Sequence, residues 1–152
     1  MPDRLYCVES NEAGMCRIWR SAQPTAAQFV AMRDRLMLRS SIKLNPAWEA
    51  REHTPEGVTV YEDPMSSVLE PSEELVAKIC ADIDEAPKPV VIHCTAGRER
   101  TGFIVERCVR MKQKPIAPSA SAMYNEWVAF GMRTWLAPGL IESFKRATGW
   151  HE

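Results

Sequence analysis

Apolar and polar positions change their period repeatedly along this chain of 152 residues, and the changes mark out its elements. Met15 to Trp19, Ser40 to Leu44, Val58 to Tyr61 and Pro89 to His93 are short apolar runs. Turn residues bound them: Asn45-Pro46 after the second, Gly57 and Asp63-Pro64 around the third. Runs of this kind predict strands. Helical spacing lies between them. Phe29, Met32 and Leu36 recur over Thr25 to Leu36, with Pro24 before them. Leu75, Val76, Ile79, Cys80 and Ile83 form one stripe over Ser72 to Ile83, with Pro71 before it and Pro87 beyond. Thr101 to Lys112 predicts a helix with Ile104, Cys108 and Met111 on one face, broken by Pro115 to Pro118. Ala120 to Phe130 predicts another, with Met123, Trp127 and Phe130 inward, and Pro138 to Thr148 closes the chain. Ala47 to Thr54 reads as a loop or short helical turn, and Met65 to Glu70 as a loop. Strands alternate with helices first, and helices dominate afterwards. The expected fold is one α/β domain over residues 1–152, with a small, mostly parallel central sheet flanked by helices.

Composition narrows the function. The apolar share is 45% and the formal net charge −1, so bulk charge implies no nucleic-acid partner. Most of the 19 cations are arginines, which leaves local basic surface open. No apolar run approaches the roughly 18 residues of a spanning helix, and the N-terminal residues carry no apolar signal core. The 5 cysteines are an odd number without paired spacing. That count predicts free thiols in a reducing cytoplasm, with Cys80 and Cys108 as buried core thiols and no chemical role for Cys7 or Cys16. His53 and His151 have no metal-ligand company, and neither metal nor cofactor is expected. Trp48, Trp127 and Trp135 read as packing residues.

One decapeptide carries chemistry: His93-Cys94-Thr95-Ala96-Gly97-Arg98-Glu99-Arg100-Thr101-Gly102. It lies between the apolar run Val90-Val91-Ile92 and a helical stretch. A strand, a tight loop and a helix start therefore place a thiol at a loop's mouth. A loop that curls around a phosphoryl group points successive backbone N–H groups inward, and the helix adds its positive end. Gly97 permits the necessary backbone dihedrals. Arg100 can bind two phosphate oxygens through its planar fork. The same field favours the thiolate of Cys94, which the Thr101 hydroxyl can also hydrogen-bond. His93 can hold the loop through its ring nitrogens. Thr95, Ala96, Gly97, Arg98, Glu99 and Arg100 are the expected substrate-binding residues.

This segment resembles the Cys-x5-Arg-Ser/Thr signature of the protein tyrosine phosphatase superfamily, and most of all its small, dual-specificity-like members. Ile18-Trp19-Arg20-Ser21-Ala22-Gln23-Pro24 resembles their Arg-Ser-x-Gln-Pro opening. Ala122 to Gly131 is similar to their helix after the loop. The resemblance covers the chain from about residue 15 onward. It departs at Leu44-Asn45-Pro46, where an arginine often follows the leucine. It implies a metal-independent phosphomonoesterase acting through a phosphocysteine on Cys94, with Arg100 and the loop amides on the phosphate oxygens and Thr101 assisting departure of the sulfur. Phosphotyrosine, and with it phosphoserine or phosphothreonine, is the expected substrate. A phosphoinositide phosphatase of the same fold is the alternative. A rhodanese-like sulfurtransferase and a silent phosphate-binding module are more distant readings.

In that superfamily an Asp on an upstream loop usually protonates the leaving oxygen. Asp63 takes this place, just after a predicted strand. Glu62 is an adjacent rival, and Glu99 a rival within the loop. A cation at Arg98 resembles members that act on phosphoinositides; its alternative is a pair with Glu99 or solvent. Arg20 reads as a tie between the first strand and a later carboxylate. Substrate choice depends on the mouth formed by Met65 to Glu70 and Gln113 to Ser119.

Overall fold

The Val90–His93 strand (β5) is buried along its whole length because it has a parallel neighbour on each side. The computed structural model describes residues 1–110. The strands are Tyr6–Ser10 (β1), Cys16–Ser21 (β2), Ser40–Lys43 (β3), Thr59–Glu62 (β4) and β5, in the order β1-β2-β5-β3-β4. Only β1 runs antiparallel to its neighbour. The expected small, mostly parallel α/β sheet is what forms. The carboxyl ends of β2, β3 and β5 lie side by side, with Ser21 and Lys43 both in register with His93. Ligands of open α/β sheets bind at this edge.

Local chemistry sets the helix ends. Thr25 caps α1 (Ala26–Leu36) by accepting from the Gln28 N–H, and the Gln28 side chain accepts from the Thr25 N–H. Ser72 caps α2 (Glu73–Glu85) by accepting from the Leu75 N–H, and Glu73 and Glu74 complement the positive end. The sheet is covered on both faces. Phe29 and Met32 of α1 pack with Leu38 and Val91 on one side. Val76, Ile79 and Ile83 of α2 pack with Ile42, Val90, Ile92 and Phe103 on the other. Alternate residues of β5 thus serve opposite layers. Burying one such side chain contributes about 1.5–3 kcal/mol.

The structure differs from the sequence expectation in three places. β1 is an additional strand. It is an exposed edge with no buried residue, so no apolar alternation announces it, and its register is set by pairing to β2. The helix expected over Thr101 to Lys112 begins at Glu99 as α3 (Glu99–Ile104) and widens into a π-helical turn over Val105–Arg110. Apolar spacing of three to four residues does not distinguish that turn from an α-helix.

The third difference concerns the cysteines. Cys7 pairs with Cys16 across β1 and β2, and Cys80 of α2 pairs with Cys108 of the π-helical turn. Cys94 alone is free. The odd count is therefore two pairs plus one thiol, and the cysteine argument for a reducing cytoplasm falls away. Met111, the Gln113 to Ser119 loop, the Ala120 to Phe130 and Pro138 to Thr148 helices, Trp127, Trp135 and His151 lie outside the described residues. Among the described residues no helix is long and apolar enough to cross a membrane.

Denatured, unreduced protein should titrate as one free thiol per chain. Closing separations of 9 and 28 residues removes about 2.6 and 3.6 kcal/mol of unfolded-state entropy in the chain-entropy model. Reduction should therefore lower the urea midpoint markedly. Four extra reactive thiols without reduction would refute the pairing.

Candidate active site

A loop that turns its amides inward must turn its carbonyls outward, and each of those needs a donor. Five of the six carbonyls of residues 93–98 have one. The His93 carbonyl accepts from Leu44 N (2.9 Å), Thr95 from Gln23 N (3.1 Å) and Arg98 from Gly102 N (2.8 Å). Ala96 accepts from Arg4 Nη1 at 3.2 Å. Arg20 Nη2 donates to Gly97 at 3.0 Å and reaches Arg98 at 3.5 Å. Arg20 is buried, and burial pulls its guanidinium down to about 10 against the attraction of Cys94. It thus ties β2 to the outer side of the loop through carbonyls, a role that sequence reasoning assigned to a carboxylate contact. Gly97 adopts φ +72°, and a Cβ there would lie 2.5 Å from Ala22 N and 2.6 Å from Ser21 C. No other residue fits without moving β2.

The inner side holds the sulfur. Cys94 Sγ accepts from Thr101 Oγ1 at 3.0 Å and from Gly97 N at 3.2 Å. Both donors reach the sulfur from the inner side of the loop. Arg100 is 7% exposed and lies at the other end of the loop. Burial works against its charge, but Glu49, Cys94 and Glu99 outweigh it and hold the guanidinium above its ordinary value. Arg98 precedes α3, half-buried, with its Nε unpartnered. Glu99 opens α3 with one buried carboxylate oxygen unpartnered. Cys94, Thr95, Gly97, Arg100, Thr101 and His93 thus converge on one loop.

Two carboxylates on the connection between β3 and β4 escaped sequence reasoning. Glu52 accepts from His93 Nε2 (2.8 Å), Gln23 Nε2 (2.6 Å) and Ser41 Oγ (2.8 Å). Burial raises its carboxyl, but the His93 bond and the other two donors prevail and hold it below its ordinary value. The ionised carboxylate can only accept, so His93 donates through Nε2. The His93 ring meets Phe29 edge-on at 6.2 Å. Glu49 grips Arg100, with Nη1 donating to Oε2 at 3.0 Å and Nη2 to Oε1 at 2.8 Å. It also accepts from Thr95 Oγ1 at 2.5 Å. These bonds hold its carboxyl below the usual range. A polar stretch such as Pro46 to Thr54 carries no periodic signal that separates these acids from solvated ones. Lys43 was missed for another reason, being a cation in an otherwise buried strand. It donates to the Asn45 carbonyl at 2.8 Å, and burial pushes its ammonium down.

Asp63 is buried at the end of β4, and its carboxyl faces α2. Lys78 donates to one oxygen and also pairs with Asp82 at 2.9 Å; the other Asp63 oxygen is unpartnered. Burial and the neighbouring Asp82 raise the Asp63 carboxyl despite Lys78. Glu62 is exposed beside it.

Residues 11–111 match the model of a family described as the tyrosine phosphatase family. The chain belongs to that family. It is 30% identical over 105 residues to the inositol diphosphatase SIW14 of Saccharomyces cerevisiae, a match covering 63% of this chain and 37% of that protein. It is 29% identical over 126 residues to the inositol diphosphatase DSP2 of Oryza sativa subsp. japonica, covering 77% and 61%. The chain thus spans less than two thirds of either relative. Among solved structures, the core catalytic domain of the PP-IP phosphatase SIW14 from S. cerevisiae superposes with a TM-score of 0.68 at 22% identity, covering 98% of this chain and 94% of that one. The active form of Tk-PTP gives 0.69 at 17% identity, covering 99% and 100%. These likenesses establish the fold.

Thr101→Val keeps the shape and removes one donor from the sulfur. A hydrogen bond to a charged group contributes about 1.5–3 kcal/mol, so the pH at which iodoacetate alkylates Cys94 at half its maximal rate should rise by about one unit or more. An unchanged midpoint would remove Thr101 from the sulfur's environment. The lowered carboxyls of Glu49 and Glu52 contribute stability above their ordinary value of 4.5, and it is lost as pH falls through the folded values. Urea unfolding at pH 7 and pH 4 should show this loss, and Glu52→Gln should make it smaller. An equal loss in the variant would contradict the assignment.

Proposed function

We propose that this phosphatase uses the Cys94 thiolate to cleave compact polyphosphorylated substrates of the inositol phosphate class. The observation that carries the nucleophile is the pair of hydrogen bonds on Sγ from Thr101 and Gly97. Three arginines on or against one short loop support the substrate class. Arg100 is buried at its end, Arg98 stands at the start of α3, and Arg4 binds the Ala96 carbonyl. A second phosphate on the substrate meets these cations, whereas a phosphotyrosine peptide brings only one. The inositol diphosphatase relatives support the same choice.

In this reading the sulfur attacks phosphorus in line, and Arg100 and the loop amides take up the charge on the equatorial oxygens. The bond to the leaving oxygen breaks and a phosphocysteine forms. Water then cleaves it, and the Thr101 hydrogen bond helps the thiolate depart. Asp63 protonates the leaving oxygen; its raised carboxyl favours the acid form, and it must turn from Lys78 to serve. A leaving phosphate, with a second pKa of about 6, asks little of an acid. An alkoxide asks much more. The two disulfides support action in an oxidising compartment rather than the cytoplasm.

Phosphotyrosine is the second reading. A cavity of about 470 Å³ has walls that include Pro46, Trp48, Pro64, Met65 and Val68, and Arg100 lies 3.4 Å from the Met65 carbonyl. An aryl ring fits such walls.

Phosphate release should be compared across a diphosphoinositol phosphate, phosphoinositide vesicles and a phosphotyrosine peptide, with Cys94→Ser as control. The diphosphate is expected to give the highest kcat/KM and the control none. A preference for the peptide would install the second reading, and turnover by the control would end both. Asp63→Asn should cost about 10²-fold or more on an alkyl phosphate and little on the diphosphate.

A further inference from the structure

The donors that a phosphoryl group needs already hold an oxyanion. One carboxylate, that of Glu49, takes both terminal nitrogens of Arg100 and the Thr95 hydroxyl. Thr95 and Arg100 stand at the two ends of the nucleophile loop, so the carboxylate spans its mouth. The Glu49 side chain is 18% exposed and that of Arg100 8%, so solvent weakens the pair little. A planar guanidinium binds a carboxylate and a phosphate through the same fork.

Glu49 is also placed to leave. It sits near the tip of the connection between β3 and β4, where Trp48 is 84% exposed and Ala47 is exposed as well. No buried apolar side chain ties residues 47–50 to the core. Three positions on, Glu52 is fixed by its three hydrogen bonds. The tip can therefore swing about a fixed foot. The 470 Å³ cavity borders Glu49 and Met65, both of which touch Arg100, so a ligand reaches the guanidinium past Glu49. Arg100 keeps the Glu49 carboxyl below its ordinary range. Neutral pH does not discharge it, and release requires a competing anion.

We propose that Glu49 is an internal competitor for the phosphoryl group and a specificity-determining residue that favours polyphosphorylated substrates over simple monophosphates. The proposal rests on the reading of the Cys94 loop as a phosphate cup. A monophosphate must displace the carboxylate with the contacts of one group. A ligand with a neighbouring phosphate also gains Arg98 or Arg4, and this differential contact drives the exchange.

Binding of tungstate to Cys94→Ser protein tests this without turnover. Adding Glu49→Gln or Glu49→Ala should tighten tungstate binding roughly tenfold or more, the worth of a charged hydrogen bond. In otherwise native protein, the same substitutions should lower KM for p-nitrophenyl phosphate more than KM for a diphosphoinositol phosphate. Unchanged or weaker tungstate binding in both variants would overturn the proposal and make Glu49 a brace for Arg100. Absence of tungstate binding in every variant, with native circular dichroism, would overturn the cup itself. An equal fall of KM for both substrates would remove the selectivity.

Discussion

The constraint on which this structure depends is the outward half of the loop that carries Cys94. Inward amides create an anion site only if the carbonyls behind them are satisfied, and the buried Arg20 donates to two of these, Gly97 and Arg98. A buried guanidinium costs solvation, which its lowered value registers. Two loop carbonyls and the Cys94 charge in front of them offset that cost. Gly97 completes the arrangement from the other side, because the backbone of Ser21 and Ala22 leaves no space for a side chain. The Arg-Ser-x-Gln-Pro segment is thus the scaffold of the cysteine loop. Arg20 supports its middle, Gln23 N supports Thr95, and the Gln23 side chain reaches Glu52.

The connection between β3 and β4 plays a comparable part on the neighbouring side. It contains no regular element, yet Glu52 binds residues of β3 and β5 and Gln23 just beyond β2, while Glu49 joins both ends of the loop. The two acids differ in character. Glu52 has three donors and is nearly inaccessible, so its removal leaves His93 and Ser41 without partners in a buried setting. Glu49 has donors that a ligand also wants. One short stretch therefore supplies a permanent strut and a replaceable occupant.

What could be read in advance follows from how local each signal is. Ser72, Thr25 and the Val76-Ile79-Ile83 stripe act within one helix, and their helices stand where the pattern puts them. The cysteine loop was legible as a loop between strand and helix because Cys94, Gly97, Arg100 and Thr101 lie within one short segment. β1 was not, since both its faces are largely exposed and only its partner strand defines it. The pairing of Cys80 with Cys108 is a meeting of two helical segments that spacing does not encode. Glu49, Glu52 and Lys43 were illegible for the same reason. A carboxylate in a polar loop looks solvated until the fold brings an arginine or a histidine to it. Asp63 shows the converse: its place in the chain suits an acid, and the fold seats it against Lys78.

The cysteine arrangement has a bearing on peroxide. Four of the five cysteine sulfurs are committed to cystines, and the fifth, that of Cys94, is free. A sulfenic acid on Cys94 finds no resolving thiol within the chain. It must be intercepted by a backbone nitrogen or by an external reductant, or else proceed to the sulfinic state, from which few proteins return.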